Sequence, residues 1–399
     1  MWITRDLGAF LDQPALPARV LVGPRQSGKS SLLAQHLPNA TWISLDDIQV
    51  RRRAQDDPAL LLESAGLAEG KPVILDEAAL APELFAEIKR RIDDARREGR
   101  AEPSIWITGS NRQLLDQSVR ESLAGRASYF FLHTLSTSEL GDRASISDWM
   151  LRGGFPELYV RTDLDPARYL ADYVRTFVEK DVAATAGILQ VDAFLRALQL
   201  LASRTGTILN ASDIGQQVGV KGQTITQWLD TLQRNALVVR LQPFHTNLNK
   251  RVVRTPKVYF LDAGLAAHLQ GWRTAEPLLA SPQVGPLFET LVFGELIRAR
   301  DHSGLALDIS FWRTKEGEEI DFLVRTNGTA GPGWIAIEAK FSIQQVDAVP
   351  VPPSLAKTIP GVTETWVVTP GGAAQPLSAS STQVPIRQLA TRLRDRLSA

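Results

Sequence analysis

The stretch Val20 to Leu33, VLVGPRQSGKSSLL, constrains this chain more than any other. A short β-branched run leads into Gly23-x-x-x-x-Gly28-Lys29-Ser30, and an apolar-periodic segment with Leu32, Leu33 and Leu37 follows. That order reads as strand, phosphate-binding loop and helix. Each residue type has a mechanical job. The glycines let backbone N–H groups wrap a phosphate, Lys29 sets a point charge against the β and γ oxygens, Ser30 can ligate Mg²⁺, and the helix N-terminus adds a positive dipole end. The nucleotide-binding set is therefore Gly23, Pro24, Arg25, Gln26, Ser27, Gly28, Lys29, Ser30 and Ser31.

Two further strands belong to the same core. Val73 to Leu75 end in Asp76-Glu77, a Walker B pattern in which Asp76 serves the Mg²⁺ shell and Glu77 polarises the attacking water. Two acids after a buried strand also suit an ordinary helix start. Ile105 to Ile107 end in Thr108, Ser110 and Asn111, polar groups at the carboxyl edge where doubly wound sheets bind ligands; Ser110 joins the nucleotide set. Arg126 precedes an apolar strand and is the candidate arginine finger, acting in trans on a neighbour's γ-phosphate. The helix Glu87 to Arg100 mixes both signs at i,i+3 and i,i+4 spacing and reads as a solvated face.

Composition narrows the function classes. The 399 residues carry 44 basic and 44 acidic side chains, so any surface for nucleic acid must be a local patch. There is no cysteine, which removes disulfides, thiolate metal sites and cysteine nucleophiles and is compatible with a cytoplasmic location. No segment approaches the roughly 20 apolar residues of a membrane span.

The middle of the chain reads as a winged helix-turn-helix. An amphipathic helix starts near Val191, Ser212-Asp213 caps a short helix, Gly219 ends it, and a second helix from about Gln223 to Asn235 buries Ile225, Trp228, Leu229 and Leu232. The runs LVVRLQPF and KVYFLD form the wing strands. Exposed Lys221, Gln223, Thr224, Thr226 and Gln227 are placed for a DNA groove, and the basic wing residues Lys250, Arg251, Arg254 and Lys257 for phosphates. Winged helices also pack as lids, so both roles stay open.

Near the C-terminus, the segment WIAIEAKFS alternates so that Ile335, Ile337, Ala339 and Phe341 face one way and Ala336, Glu338 and Lys340 the other. Asp321 sits in the preceding apolar run. On the helix PLFETLVFGELIRARD, a wheel count puts Glu289 in the middle of the apolar face and Glu295 nearer its rim. Helix glutamate, strand aspartate and Glu-x-Lys on the next strand give hard oxygen ligands for Mg²⁺ from Asp321, Glu338 and the Ala339 carbonyl, with Glu289 direct or through water. Lys340 would stabilise a metal-activated hydroxide as a catalytic group.

The segments VGPRQSGKSSLL, VILDEAALAPELF, ITGSN, ESLAGR, RGGFPELY, VEKDV and VYFLDAGLAAHL, in this order over nearly the whole chain, resemble a family of prokaryotic AAA-superfamily ATPases. Its members carry a C-terminal domain, long of unknown function, related to PD-(D/E)xK nucleases. The resemblance implies ATP hydrolysis with ATP/ADP and Mg²⁺, and an assembly in which one subunit completes another's site, a homo-oligomeric ring such as a hexamer. The expected architecture is α/β: a P-loop AAA-type parallel sheet core over 1–145, a helical and winged-helix lid over 146–265, and a PD-(D/E)xK-like domain over 266–399. The leading function is ATP-dependent binding and remodelling of DNA, including branched DNA such as a Holliday junction, with metal-dependent cleavage as an added activity. The alternatives are a nucleotide-switched scaffold that binds protein, and a structure-specific nuclease that uses ATP only for assembly.

Overall fold

The computed structural model describes residues 2–109, 112–183, 188–244, 255–328, 331–342 and 346–398. It divides into two compact units, one of Thr4–Thr134 and one of Leu135–Ala399 with the first three residues.

The first unit is built on five strands, β1 (Ala18–Val22), β2 (Thr41–Ser44), β3 (Val73–Asp76), β4 (Ile105–Thr108) and β5 (Ala127–Phe131). All are parallel, in the order β2-β3-β4-β1-β5. Parallel strands need crossovers, and helices such as Lys29–His36 and Glu83–Arg97 supply them on either face. The continuous apolar runs of β1, β3 and β4 follow from burial on both faces. Every strand therefore presents its carboxyl end on one edge, where β1 enters the phosphate loop and β3 ends in Asp76. Helix Glu83–Arg97 buries Leu84, Phe85, Ile88 and Ile92 on one side and pairs Glu87 with Arg90 and Arg91 on the other, as its charge pattern predicts.

In the second unit, helix Val191–Ser203 precedes the pair Ala211–Val218 and Gly222–Arg234. Gly219 takes the left-handed conformation that ends the first of the pair, and Ile225, Trp228, Leu229 and Leu232 are buried in the second. The cap is not Ser212-Asp213: Asn210 accepts from the Asp213 N–H, and Asp213 itself pairs with Arg204. A three-stranded sheet of β6 (Thr207–Ile208), β7 (Val238–Leu241) and β8 (Lys257–Phe260), in the order β6-β8-β7, completes this module.

A mixed six-stranded sheet follows: β9 (Leu307–Arg313), β10 (Glu319–Gly328), β11 (Gly331–Ala339), β12 (Val362–Thr369), β13 (Gln375–Ser378) and β14 (Ser381–Pro385), in the order β13-β14-β12-β11-β10-β9. Phe322, Val324, Ile335 and Ile337 share a core with the long helix Val284–Ser303, while Trp312, Ile320, Leu323 and Ala336 share another with helix Pro353–Thr358. Both faces of β11 are thus covered along Trp334–Ile337, and beyond Ala336 the second face passes from that core to Glu338 and the exposed Lys340. The three- and six-stranded sheets are stitched together where Phe244 N–H donates to Phe311 O (2.7 Å) and Phe311 N–H to Gln242 O (3.2 Å).

Candidate nucleotide and acidic-cluster sites

The phosphate loop takes its shape from a few enforced positions. A Cβ on Gly23 would lie 2.0 Å from the Leu132 carbonyl, so any side chain there would push the loop off the sheet. Gly28 caps helix Lys29–His36 with φ of 91°, and Gln26 adopts φ of 60°, a left-handed value uncommon outside glycine. Lys29, 8% exposed, bends back across the loop and donates to Gly23 O (3.0 Å) and Pro24 O (2.9 Å). Pro24 and Ser27 are buried, Arg25 is half-buried, and Gln26, Ser30 and Ser31 are exposed.

Asp76 and Glu77, the expected Walker B acids, lie on the same edge. Asp76 is half-buried, and its carboxyl is held above the usual carboxylate range by burial and by the charges of Glu77 and Asp46, with Lys29 pulling the other way. Glu77 stands at φ of 53°, and its carboxylate lies so near the end of β4 that a Cβ on Gly109 would meet it at 3.5 Å. Thr108 is fully buried, its hydroxyl without a hydrogen-bond partner among the described residues, while Ser110 and Asn111 lie outside them. With Ser30 and Asp76, this edge offers the hard oxygen donors that Mg²⁺ takes.

Arg126 is on the other edge. The register pairs Ala18 with Ala127, which puts Arg126 at the amino end of β5, a strand length from the phosphate loop of its own subunit. It grips Asp93 with two hydrogen bonds (2.7 and 2.9 Å) and donates to Ala124 O. A role in cis is excluded by this placement; a role in trans requires release from Asp93.

The second site joins three elements remote in sequence. Lys257 on β8, 3% exposed, places its ammonium 2.7 Å from Glu319 and 3.1 Å from Glu289. The Tyr259 hydroxyl also donates to Glu289, and Arg313 pairs with Glu319. A register shift in β10 between Ile320 and Leu323 turns Asp321 toward the end of β11, where it accepts from the Ala339 N–H (2.9 Å). Glu338 accepts from the Asp321 N–H and from Lys340 (2.8 Å). Burial first, then the charge of Glu289, pushes the Asp321 carboxyl up; burial and Asp321 together push Glu338 up to about 7. The same neighbourhood raises Lys257 and Lys340 despite their burial.

Three expectations fail here. Lys257, expected on an exposed basic wing, is buried against carboxylates. Glu295, expected at the rim, is 1% exposed, accepting from the Thr137 N–H and hydroxyl and facing Arg298. The wheel presumed one apolar face, whereas helix Val284–Ser303 is buried almost all round. Glu289 is engaged by Lys257 and Tyr259, and among the described residues no group of three or more His, Asp or Glu side chains is arranged to hold a metal ion. Asp321, Glu338 and the Ala339 carbonyl remain a smaller donor set of suitable chemistry.

Residues 16–141 match the AAA domain, 143–276 a domain of unknown function (DUF8612) and 284–389 another (DUF4143). Uncharacterised proteins of Mycobacterium tuberculosis and Mycobacterium bovis are each 30% identical over 383 residues, covering 94% of this chain and 81% of theirs. The chain belongs to their family. Among solved structures, the Walker-type ATPase of Pyrococcus abyssi aligns at 16% identity with a TM-score of 0.40, over 66% of this chain and 93% of that one. RuvB of Thermotoga maritima aligns at 18% and 0.29, over 59% and 86%.

In this family member the AAA core brings the expected phosphate-loop and Walker B residues to one edge. The helix-turn-helix leaves Lys221, Gln223, Thr226 and Gln227 exposed and Thr224 half-buried. Lys250, Arg251 and Arg254 lie outside the described residues. Arg5, Tyr259 and Glu319 were not singled out by sequence; only proximity in the fold marks them. No helix among the described residues is long and apolar enough to cross a membrane.

Proposed function

We propose that this chain hydrolyses ATP at the AAA core and couples the cycle to binding and remodelling of DNA, with branched DNA such as a Holliday junction as the substrate class. The observation that carries the reading is the shared edge of phosphate loop, Asp76 and Glu77: a lysine resting on neutral carbonyls can exchange them for phosphate oxygens, and a paired Asp-Glu can serve Mg²⁺ and water. The exposed Lys221, Gln223, Thr226 and Gln227 at the start of helix Gly222–Arg234, with half-buried Thr224 among them, support the DNA contact. Assembly into a homo-oligomeric ring would let Arg126 of one copy reach the nucleotide of the next.

The C-terminal domain resembles a PD-(D/E)xK module, and Asp321, Glu338 and the Ala339 carbonyl would hold a divalent cation there. Such a cation would supply Lewis acidity toward a phosphodiester. The chain's own contribution is to bury the two carboxylates, tie them to backbone N–H groups, and keep Lys340, half-exposed, within reach of the same ligand. A panel of labelled junctions, forks and duplexes decides among the readings. DNA-stimulated ATP hydrolysis with strand separation is expected. Hydrolysis indifferent to every DNA would favour the protein-binding scaffold, and cleavage retained by Lys29→Ala would favour a nuclease that needs ATP only for assembly.

A further inference from the structure

One buried cation touches the phosphate loop from outside the motif. Arg5 is 5% exposed; one end of its guanidinium donates to Ser27 O (2.6 Å) and the other to His133 O (2.7 Å), just beyond β5. It stands immediately before helix Leu7–Leu11, whose Leu7 and Leu11 pack with Leu32 and Leu33 of the helix that follows the loop. At the far end of that helix, His36 meets Asp12 at 3.2 Å. Residues 5–12 thus form a strap along the phosphate-binding helix, anchored at both ends.

The anchor at Ser27 bears on chemistry. A trans peptide is planar, so its C=O and N–H point in opposite directions. Fixing Ser27 O toward Arg5 therefore fixes the Gly28 N–H toward the concave side of the loop, where a phosphate oxygen would sit. The peptide needs such fixing because it is flanked by Gly28 itself, at φ of 91°, and lies close to Gln26 at 60°; glycine would tolerate the flipped plane as readily. Lys29 braces the other end of the loop, at Gly23 O and Pro24 O.

We propose that Arg5 is a positioning residue for the nucleotide: by holding the Ser27–Gly28 peptide plane it presents the Gly28 N–H to the phosphates before ATP arrives. The inference rests on the ATPase reading above and deepens it. The test measures the affinity of the full chain for a non-hydrolysable ATP analogue, with KM and kcat for ATP, in wild type, Arg5→Met, Arg5→Lys and Asp12→Ala. Arg5→Met should weaken analogue binding and raise KM about tenfold, the scale of one lost hydrogen bond to a charged group, with kcat little changed in the saturated enzyme. Arg5→Lys, which can reach one carbonyl but not span two, should fall between. Asp12→Ala, which loosens only the distant end, should keep wild-type KM. A fall in melting temperature for Arg5→Met with KM and analogue affinity unchanged would overturn the proposal and leave Arg5 a packing residue. If Arg5→Met does not fold, Arg5→Lys carries the decision on the same readouts. A wild type that binds no analogue sinks the ATPase reading and this proposal together, whereas normal wild-type binding with insensitive Arg5 variants sinks this proposal alone.

Discussion

Lys29 and Lys257 are both nearly buried ammonium groups, and the difference between their surroundings separates the two regions of this molecule. Lys29 rests on carbonyls five and six residues away in its own loop, neutral acceptors that a phosphate can displace. Lys257 rests on two carboxylates from other elements, with the rings of Tyr259 and Phe311 beside it. The first lysine is poised for exchange. The second is committed, because leaving its site would strand two partly buried negative charges.

The largest expected effect tests the exchangeable lysine. Lys29→Ala should abolish binding of ATP and its analogues, while Glu77→Gln should keep binding and lose hydrolysis by about two orders of magnitude or more, the usual worth of a positioned base. Analogue titration and phosphate release separate the two. Normal hydrolysis by Glu77→Gln would show that the Walker B assignment is wrong.

Stability should reverse the ranking. Lys257→Met leaves Glu289 and Glu319 without their shared cation and should cost about 3–5 kcal/mol in chemical denaturation, the scale for breaking a buried ion pair. Adding Glu289→Gln to that variant should restore part of the loss. Lys29→Ala, which removes the hydrogen bonds to the neutral carbonyls of Gly23 and Pro24, should cost about 1 kcal/mol. Equal losses for the two lysines would break the distinction drawn here.

The same contrast explains what could be read from sequence. The phosphate loop, Asp76 and Glu77 were legible because each motif is contiguous and its residue types have one shared use. The parallel core followed from apolar strands alternating with helices. The buried stripe of the second helix-turn-helix helix was equally plain, since Ile225, Trp228, Leu229 and Leu232 repeat at helical spacing. The acidic cluster was legible only by half. Asp321, Glu338 and Lys340 could be named, but Lys257 looked like a wing residue because its partners come from other elements. Glu295 misled for a related reason: a helical wheel detects one apolar face and cannot show that Thr137 and Arg298 wait on another side.

A pH profile sharpens the comparison by a smaller amount. Asp321 and Glu338 both titrate higher in the folded chain than their ordinary values of 3.8 and 4.5, with Glu338 near 7. Between about pH 4 and pH 7 the folded state thus holds protons the unfolded state has released, so stability falls as pH rises through that window. The stabilisation is fully present below the unfolded values and lost above the folded ones. Asp321→Asn keeps an acceptor for the Ala339 N–H while removing the charge. It should flatten the profile and make the chain more stable than wild type at pH 8. Mn²⁺ should also flatten it if these carboxylates hold a cation. An unchanged slope in Asp321→Asn would show that the cluster carries less excess charge than its geometry implies.

The smallest effect concerns Arg126, which pairs with Asp93 on the surface of the nucleotide-binding unit. Its place at the amino end of β5 rules out its own phosphate loop, so the remaining catalytic role is at a neighbour's. Arg126→Ala chains and Glu77→Gln chains should each be inactive alone. Mixed in one assembly, some interfaces combine an intact Glu77 with an intact Arg126, and a fraction of turnover should return. Only interfaces of the right pairing contribute, and each rescued site still works beside defective neighbours, so the recovery should stay well below wild type. Absence of any rescue in demonstrably mixed oligomers would return Arg126 to the role its geometry already shows, a clasp on helix Glu83–Arg97 through Asp93.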